Sequence, residues 1–190
     1  MYKSLKKILE SDIYRYYGVR KMPILHKVLP YNISLKYIIL YRKANYFFKK
    51  GNLFKMIYYF YFYKLKRLSY KTGIQIHPAT DIDEGFYIGH MGTTIINPKA
   101  KIGKNVSLSQ GVTIGADVRG ERTGCPEIGD EVFIGANAVL VGKIKIGSNV
   151  VIAPNSFVNV DVPDNSVVLG NPCLIKNKEN ATEGFIVYKV

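Results

Sequence analysis

A six-residue period governs this chain from Ile76 onward and narrows its fold to one architecture. Aliphatic residues recur at Ile76, Ile82 and Ile88, then at Ile96, Ile102, Leu108 and Ile114. They continue at Ile128, Ile134, Leu140, Ile146, Ile152 and Val158. The next position is often small (Gly103, Gly115, Gly129, Gly135, Gly147, Ala153), and the fourth after each aliphatic is frequently small or β-branched (Val106, Val112, Val132, Ala138, Val150, Ser156). Neither a helix nor an alternating strand generates that spacing. Each hexad supplies one short strand and a turn, and three hexads close a triangular coil. The aliphatic points inward and stacks on its counterpart one coil away, while a small neighbour lets the backbone round the corner without a Cβ clash. Thirteen stations predict about four coils, enough for a continuous stacked core. The fold class is therefore mainly β, a parallel β-helix.

Two places break the period, and breaks in a solenoid mark its working surface. Ile88 to Ile96 is a step of eight, with the extra residues in GHMGTT; Ile114 to Ile128 is a step of fourteen, so part of Ala116–Pro126 leaves the coil as a loop. Neither insertion serves core packing. Before Gly73 the pattern changes. Tyr2–Tyr17 and Ser34–Tyr70 place apolar residues at three- and four-residue steps, which predicts helices, with a turn at Gly51-Asn52 and punctuation at Pro23 and Pro30. The expected organisation is a helical region over 1–73, the β-helix over 74–176 and a tail over 177–190. The repeat is expected to end at Val162-Pro163.

The formal charge of +13 is unevenly spread. Up to Gly73 there are 17 Lys+Arg against 2 Asp+Glu, and 13 of the 15 tyrosines; the remainder holds 10 against 12. Such a basic, aromatic front end suits peripheral contact with anionic lipid. Its most apolar runs, Tyr37–Tyr41 and Met56–Tyr63, fall far short of the roughly 18 apolar residues of a spanning helix. Cys125 and Cys173 match no disulfide framework or metal spacing, and MYKSLKKILESDIY lacks a leader pattern. Together these features lead to the expectation of a cytoplasmic protein, with association at the inner face of the membrane left open.

The stretch Gly73–Ile175 resembles the serine acetyltransferase branch of the hexapeptide-repeat acyltransferases. The resemblance rests on GIQIHPATDIDEGFYIGHMGTTIIN, KIGKNVSLSQGVTIG, PEIGDEVFIGANAVLVGKIKIG and the closing GNPC. It implies left-handed coils, a homotrimer and no permanently bound cofactor, with acetyl-CoA as co-substrate. By that resemblance His90 is the general base that deprotonates an acceptor hydroxyl, chemistry that suits an imidazole titrating near neutral pH. His77, in a regular hexad before Pro78, reads as structural, and His26 carries no signal. The family pattern places an aspartate where this chain has Gln75, which becomes the residue expected to orient His90. It places another aspartate at Gly89 and a second histidine at Cys125.

These three departures argue against an amino-acid acceptor, since the groups that would hold its ammonium are gone. Short relatives with a basic helical front end commonly acetylate surface polysaccharides, so the expected acceptor is a sugar hydroxyl in surface or capsular polysaccharide synthesis. Serine, for cysteine biosynthesis, is the alternative. Gly89, Arg119, Arg122 and Cys125 are the expected acceptor contacts. Acetyl-CoA is expected between subunits, against Gly115, Ala136 and Ala153, with Lys176 and Lys178 reaching its phosphates. A covalent acetyl-Cys125 intermediate is disfavoured because the family transfers acetyl directly.

Other classes fare worse. A β-helical carbonic anhydrase needs three converging histidines on zinc, and only His77 and His90 lie in the repeats, so no metal is expected. No base-reading module accompanies the basic front end, so nucleic acid is not an expected partner. A dead scaffold would have lost His90.

Overall fold

Among the described residues, three helices cap a triangular prism of short parallel strands. The computed structural model describes residues 4–20 and 32–190; Pro23, His26 and Pro30 lie outside the described residues. Helix α1 (Leu5–Tyr17) starts at Ser4, whose hydroxyl accepts from the Lys7 N–H, and ends at Gly18 in the left-handed conformation. Helix α2 (Ile33–Lys49) is capped by Asn32. A single 3-10 turn (Asn52–Phe54) leads into α3 (Lys55–Thr72), which Gly73 closes at φ 77°.

Strands then follow at once. The first coil is β1 (Ile74–Ile76), β2 (Asp81–Ile82) and β3 (Tyr87–Ile88); the second is β4 (Thr94–Ile96), β5 (Lys101–Ile102) and β6 (Ser107–Leu108). The third is β7 (Thr113–Gly115), β8 (Glu127–Ile128) and β9 (Val132–Ile134), and the fourth β10 (Val139–Val141), β11 (Lys145–Ile146) and β12 (Val150–Ile152). A fifth is built from β13 (Phe157–Val158) and β14 (Ser166–Leu169), with Val162 bridging to Ile146 between them. Three parallel faces result: β1-β4-β7-β10-β13, then β2-β5-β8-β11, then β3-β6-β9-β12-β14. The six-residue aliphatics stack in register, as in Ile76, Ile96, Ile114, Leu140 and Val158 on the first face. Each is buried, and burying such a side chain contributes about 1.5–3 kcal/mol.

The count of about four coils is thus corrected to about five. The repeat does not stop at Val162-Pro163: a shortened step of four brings Val162 onto the second face, and Val168 resumes the ladder six residues later. The corners turn on left-handed residues that also stack. Gly85, Asn105, Glu131, Asn149 and Asn165 share one corner; Gly111, Asn137 and Asn155 share another. Asparagine tolerates that conformation better than most side chains, which explains its recurrence there.

Helix α2 closes the open end of the prism. The Tyr37 hydroxyl accepts from the Ile76 N–H at 2.9 Å, Tyr41 donates to the Thr80 carbonyl at 2.7 Å, and Arg42 donates to the carbonyls of Ile82 and Asp83. The edge groups of the first coil are therefore satisfied by side chains, not left for another chain to pair with. Beneath, Arg42 grips Asp12 of α1 through Nε at 2.7 Å and Nη2 at 3.1 Å, both residues being buried.

The tail is ordered beyond the expected bounds. After Gly170, β15 (Leu174–Asn177) turns back antiparallel along β14. Residues beyond it run up the Asn105–Asn149 corner as a strap. Thr182 docks on Asn149, Lys189 on Glu131, Val190 on Asn105, Phe185 stacks near Phe133, and Arg15 of α1 donates to the Val187 carbonyl.

Candidate active site

His90 sits on the excursion that joins β3 to β4, at the corner between the third and first faces. The two extra residues are accommodated by a bend, pinned at Gly89, whose N–H donates to the Leu108 carbonyl at 2.9 Å, and at Gly92, whose N–H donates to the Thr72 carbonyl at 2.9 Å. The imidazole is exposed, and no described residue hydrogen-bonds to it. Both ring nitrogens are open to a ligand. His77 differs: its Nδ1 accepts from the Ala79 N–H at 3.0 Å, and its ring meets Phe48 and Phe62 edge-on. It is a turn-forming side chain, as its place in a regular hexad implies.

Gly89 is a glycine by choice of chemistry and not by backbone necessity. Its φ is not positive, and a Cβ there would make only an ordinary 3.6 Å contact with the Tyr87 ring. A Cβ at this position meets no close neighbour. The neighbouring Tyr87 ring packs on Tyr16 at 4.4 Å between ring centroids.

Gln75 is exposed on β1, opposite Ile95, in a groove of about 380 Å³ that it shares with Asn97, Lys66, Ser69 and Gly115. No hydrogen bond joins it to His90 within the chain. The residue that does lie against the His90 bend is Gln110, one coil below: a Cβ on Gly92 would come within 2.9 Å of the Gln110 Cβ. Sequence reasoning missed it, although its offset of 20 residues from His90 is one coil of eighteen plus the two-residue excursion.

Ala136 and Ala153 occupy the same corner as His90. The Gly135 N–H donates to the Ile152 carbonyl and the Ala153 N–H to that of Val168, continuing the row begun by Gly89 and Ser109. Gly115 lies across the first face, at the end of β7. The three therefore do not line one groove within a single chain. Lys176 and Lys178 fall away from both rows. Strand β15 carries Lys176 opposite Val167, and Lys178 donates its N–H to Asn165 at the strap corner.

The second insertion is a small hairpin. Asp117 and Gly124 exchange backbone hydrogen bonds at 2.9 Å each, Arg119 and Arg122 project into solvent, and the Arg122 carbonyl anchors the Lys143 N–H at 2.8 Å. Cys125 lies half-buried at its base, on the Gly115 side of the first face. Burial pushes its thiol up, against the opposing pull of Lys99. Such a thiol is a poor nucleophile near neutral pH. His90 and this hairpin thus stand at opposite edges of one face. Among the described residues no cluster of three metal-ligating side chains occurs, and no helix is long and apolar enough to cross a membrane.

Comparison with known proteins places this geometry. Residues 125–159 match the family model described as bacterial transferase hexapeptide (six repeats). A serine acetyltransferase of Staphylococcus aureus is 41% identical over 113 residues, 60% of this chain and 53% of its own length. The chain therefore spans about half of that relative. Serine acetyltransferase 2 of Arabidopsis thaliana is 43% identical over 108 residues, 56% of this chain and 33% of its own. Among solved structures, Neisseria gonorrhoeae serine acetyltransferase in complex with serine aligns at TM-score 0.72 and 33% identity, covering 90% of this chain and 69% of that one. The Brucella abortus enzyme aligns at 0.71 and 29%, covering 94% and 70%. The prism is accordingly the left-handed parallel β-helix of those structures.

Proposed function

Because this chain belongs to the serine acetyltransferase-like branch of the hexapeptide-repeat acyltransferases, we propose that it is an acetyl-CoA-dependent O-acetyltransferase with His90 as its general base. The observation that carries this reading is the exposed imidazole, with both nitrogens free, on the bend that interrupts the first hexads. His90 takes the proton of an acceptor hydroxyl as its oxygen attacks the thioester carbonyl. The tetrahedral intermediate then collapses, breaking the carbon–sulfur bond, and the imidazolium returns the proton to the CoA thiolate.

The row of Ala136 and Ala153 and the position of Gly115 lie at opposite edges of the first face. A groove that uses all three for the pantetheine arm must therefore draw on two neighbouring copies. This supports a homotrimer with acetyl-CoA between subunits. Cys125, Arg119 and Arg122 would then approach His90 from the neighbouring copy, and Gln75 would face the same cleft.

For the acceptor, the comparisons favour serine over the sugar hydroxyl expected from the sequence, since the relatives are serine acetyltransferases and one solved relative holds serine. Serine is the reading adopted. A sugar hydroxyl is retained as the second reading on one specific observation: beside His90 and the Tyr87 ring stands Gly89, with no carboxylate for the ammonium of an amino-acid acceptor. Release of CoA from acetyl-CoA, measured with L-serine and separately with a panel of nucleotide-linked sugars, decides between them. His90-dependent turnover with serine supports the first. Turnover with a sugar and none with serine replaces it. No acetyl-CoA hydrolysis or transfer with any acceptor, or full activity in His90→Ala, overturns the mechanism.

A further inference from the structure

We infer that the outer side of α3 is a docking surface for an anionic lipid membrane, on which the helix lies in the plane of the headgroups. Helix α3 buries Leu65, Leu68 and Thr72 against the rest of the protein. Its opposite side carries what a soluble helix would normally hide. Leu53 and Met56, at its entry, are 88% and 87% exposed, and Phe60, Tyr63 and Tyr70 follow at three- to seven-residue steps along the same side. Interleaved with them are Lys55, Lys64, Lys66, Arg67 and Lys71, none of which has a carboxylate partner among the described residues.

The charge is what identifies the occupant. From Ile33 to Thr72 there are ten Lys+Arg and no Asp or Glu. A second copy brought face to face would set these cations against each other. An anionic bilayer instead meets the five cations of α3 with phosphates, Arg42 and Lys49 of α2 being already paired with Asp12 and Asp81. The apolar residues choose between lipid and nucleic acid. Leu53 and Met56 have nothing to offer a phosphodiester, but aliphatic side chains at the tip of a helix enter the acyl boundary, with tyrosines at the headgroup level. The cations are placed for this geometry: Lys64 lies 4.3 Å from the centroid of the Phe60 ring, Lys66 5.4 Å from that of Tyr70 and Arg67 5.9 Å from that of Tyr63. Aromatic body and charged tip share one surface, so the first can sink while the second stays with the headgroups.

The test is flotation of the full chain with phosphatidylcholine vesicles, with and without phosphatidylglycerol; the readout is vesicle binding and is independent of acetyl transfer. The protein is expected to float only with the anionic vesicles, and less so as salt is raised. Reversing Lys64, Lys66 and Arg67 to Glu should weaken partitioning on the order of a hundredfold. Changing Leu53, Met56 and Phe60 to Ser should also release the protein, with the far-ultraviolet circular dichroism of both variants unchanged. Equal binding to neutral vesicles, or no flotation of the unmodified chain, overturns the inference. So does loss of binding in the charge variant alone, which would make the surface a polyanion site of the kind nucleic acid fills. An oligomer that the serine variant dissociates, without flotation of the parent, assigns the face to a second copy and equally overturns it.

Discussion

The Thr72 carbonyl accepts the Gly92 N–H at 2.9 Å and so ties the last turn of α3 to the bend that carries His90. The same approach leaves a Cβ on Gly73 only 3.0 Å from the Gly92 carbonyl carbon. Gly92 itself holds φ 149°, with the Gln110 Cβ 2.9 Å from where its own Cβ would stand. Gly92→Ala must therefore shift the bend. A displacement of the base of this order costs about tenfold to a hundredfold in kcat. Steady-state CoA release should record that loss while the thermal transition moves by no more than a few degrees.

The two histidines of the solenoid should separate cleanly. His90→Ala is expected to lower kcat by about 10²–10⁴ with stability unchanged. His77→Ala removes the Nδ1 acceptor of the Ala79 N–H and should cost about 1 kcal/mol in urea unfolding, with a far smaller effect on turnover.

Gly89→Asp is expected to fold normally, since φ there is not positive and a Cβ meets no close neighbour. Its carboxylate would supply a charge-assisted acceptor for an ammonium, so the variant should lower KM for L-serine by about tenfold. An unchanged KM would show that position 89 does not face the acceptor.

The buried Asp12–Arg42 pair joins α1, α2 and the first coil, with the Phe86 N–H also donating to Asp12 at 3.0 Å. Asp12→Ala leaves a guanidinium buried without its counter-charge and should destabilise by about 3–5 kcal/mol in denaturant. Replacing both residues with Leu and Met should cost less than either single loss.

Cys125 supplies a pH-dependent control. Burial raises its thiol above the ordinary cysteine value, so the thiolate fraction at pH 7–8 falls below that of a free thiol. Alkylation by iodoacetamide should be slow there and rise only at higher pH, and Cys125→Ser should retain activity. Loss of turnover in Cys125→Ser on the scale of His90→Ala would restore the acetyl-cysteine route.

The prism was legible in the sequence because its stacking residue recurs every six positions, and His90 stood out because that spacing fails beside it. The fifth coil was hidden by the four-residue step from Val158 to Val162 and by Pro163, which reads as a terminator although it occupies a corner. The role of α2 was hidden for another reason. Tyr37 and Tyr41 bound an apolar run and Arg42 follows it in a basic helix, but all three are buried with their polar atoms turned onto backbone groups of the first coil. Periodicity reports which side of a helix is apolar, not which carbonyls lie beneath it. Contacts such as Asn105 to Val190 span 85 residues and leave no local trace at all. Nor could one chain's sequence show that the sites expected for one ligand stand at two edges of a face.

The strap gives the solenoid a length standard. A stack of coils has no internal limit, since each new coil repeats the interface of the last. Here the strap starts below β14 and reaches back past Asn149, Glu131 and Asn105 to Arg15, reading off the height of the stack from bottom to top. Inserting a coil would lift Arg15 by one strand spacing of about 4.8 Å and break its grip on Val187. Coil number and the span of the strap from β15 to Val187 are therefore matched dimensions.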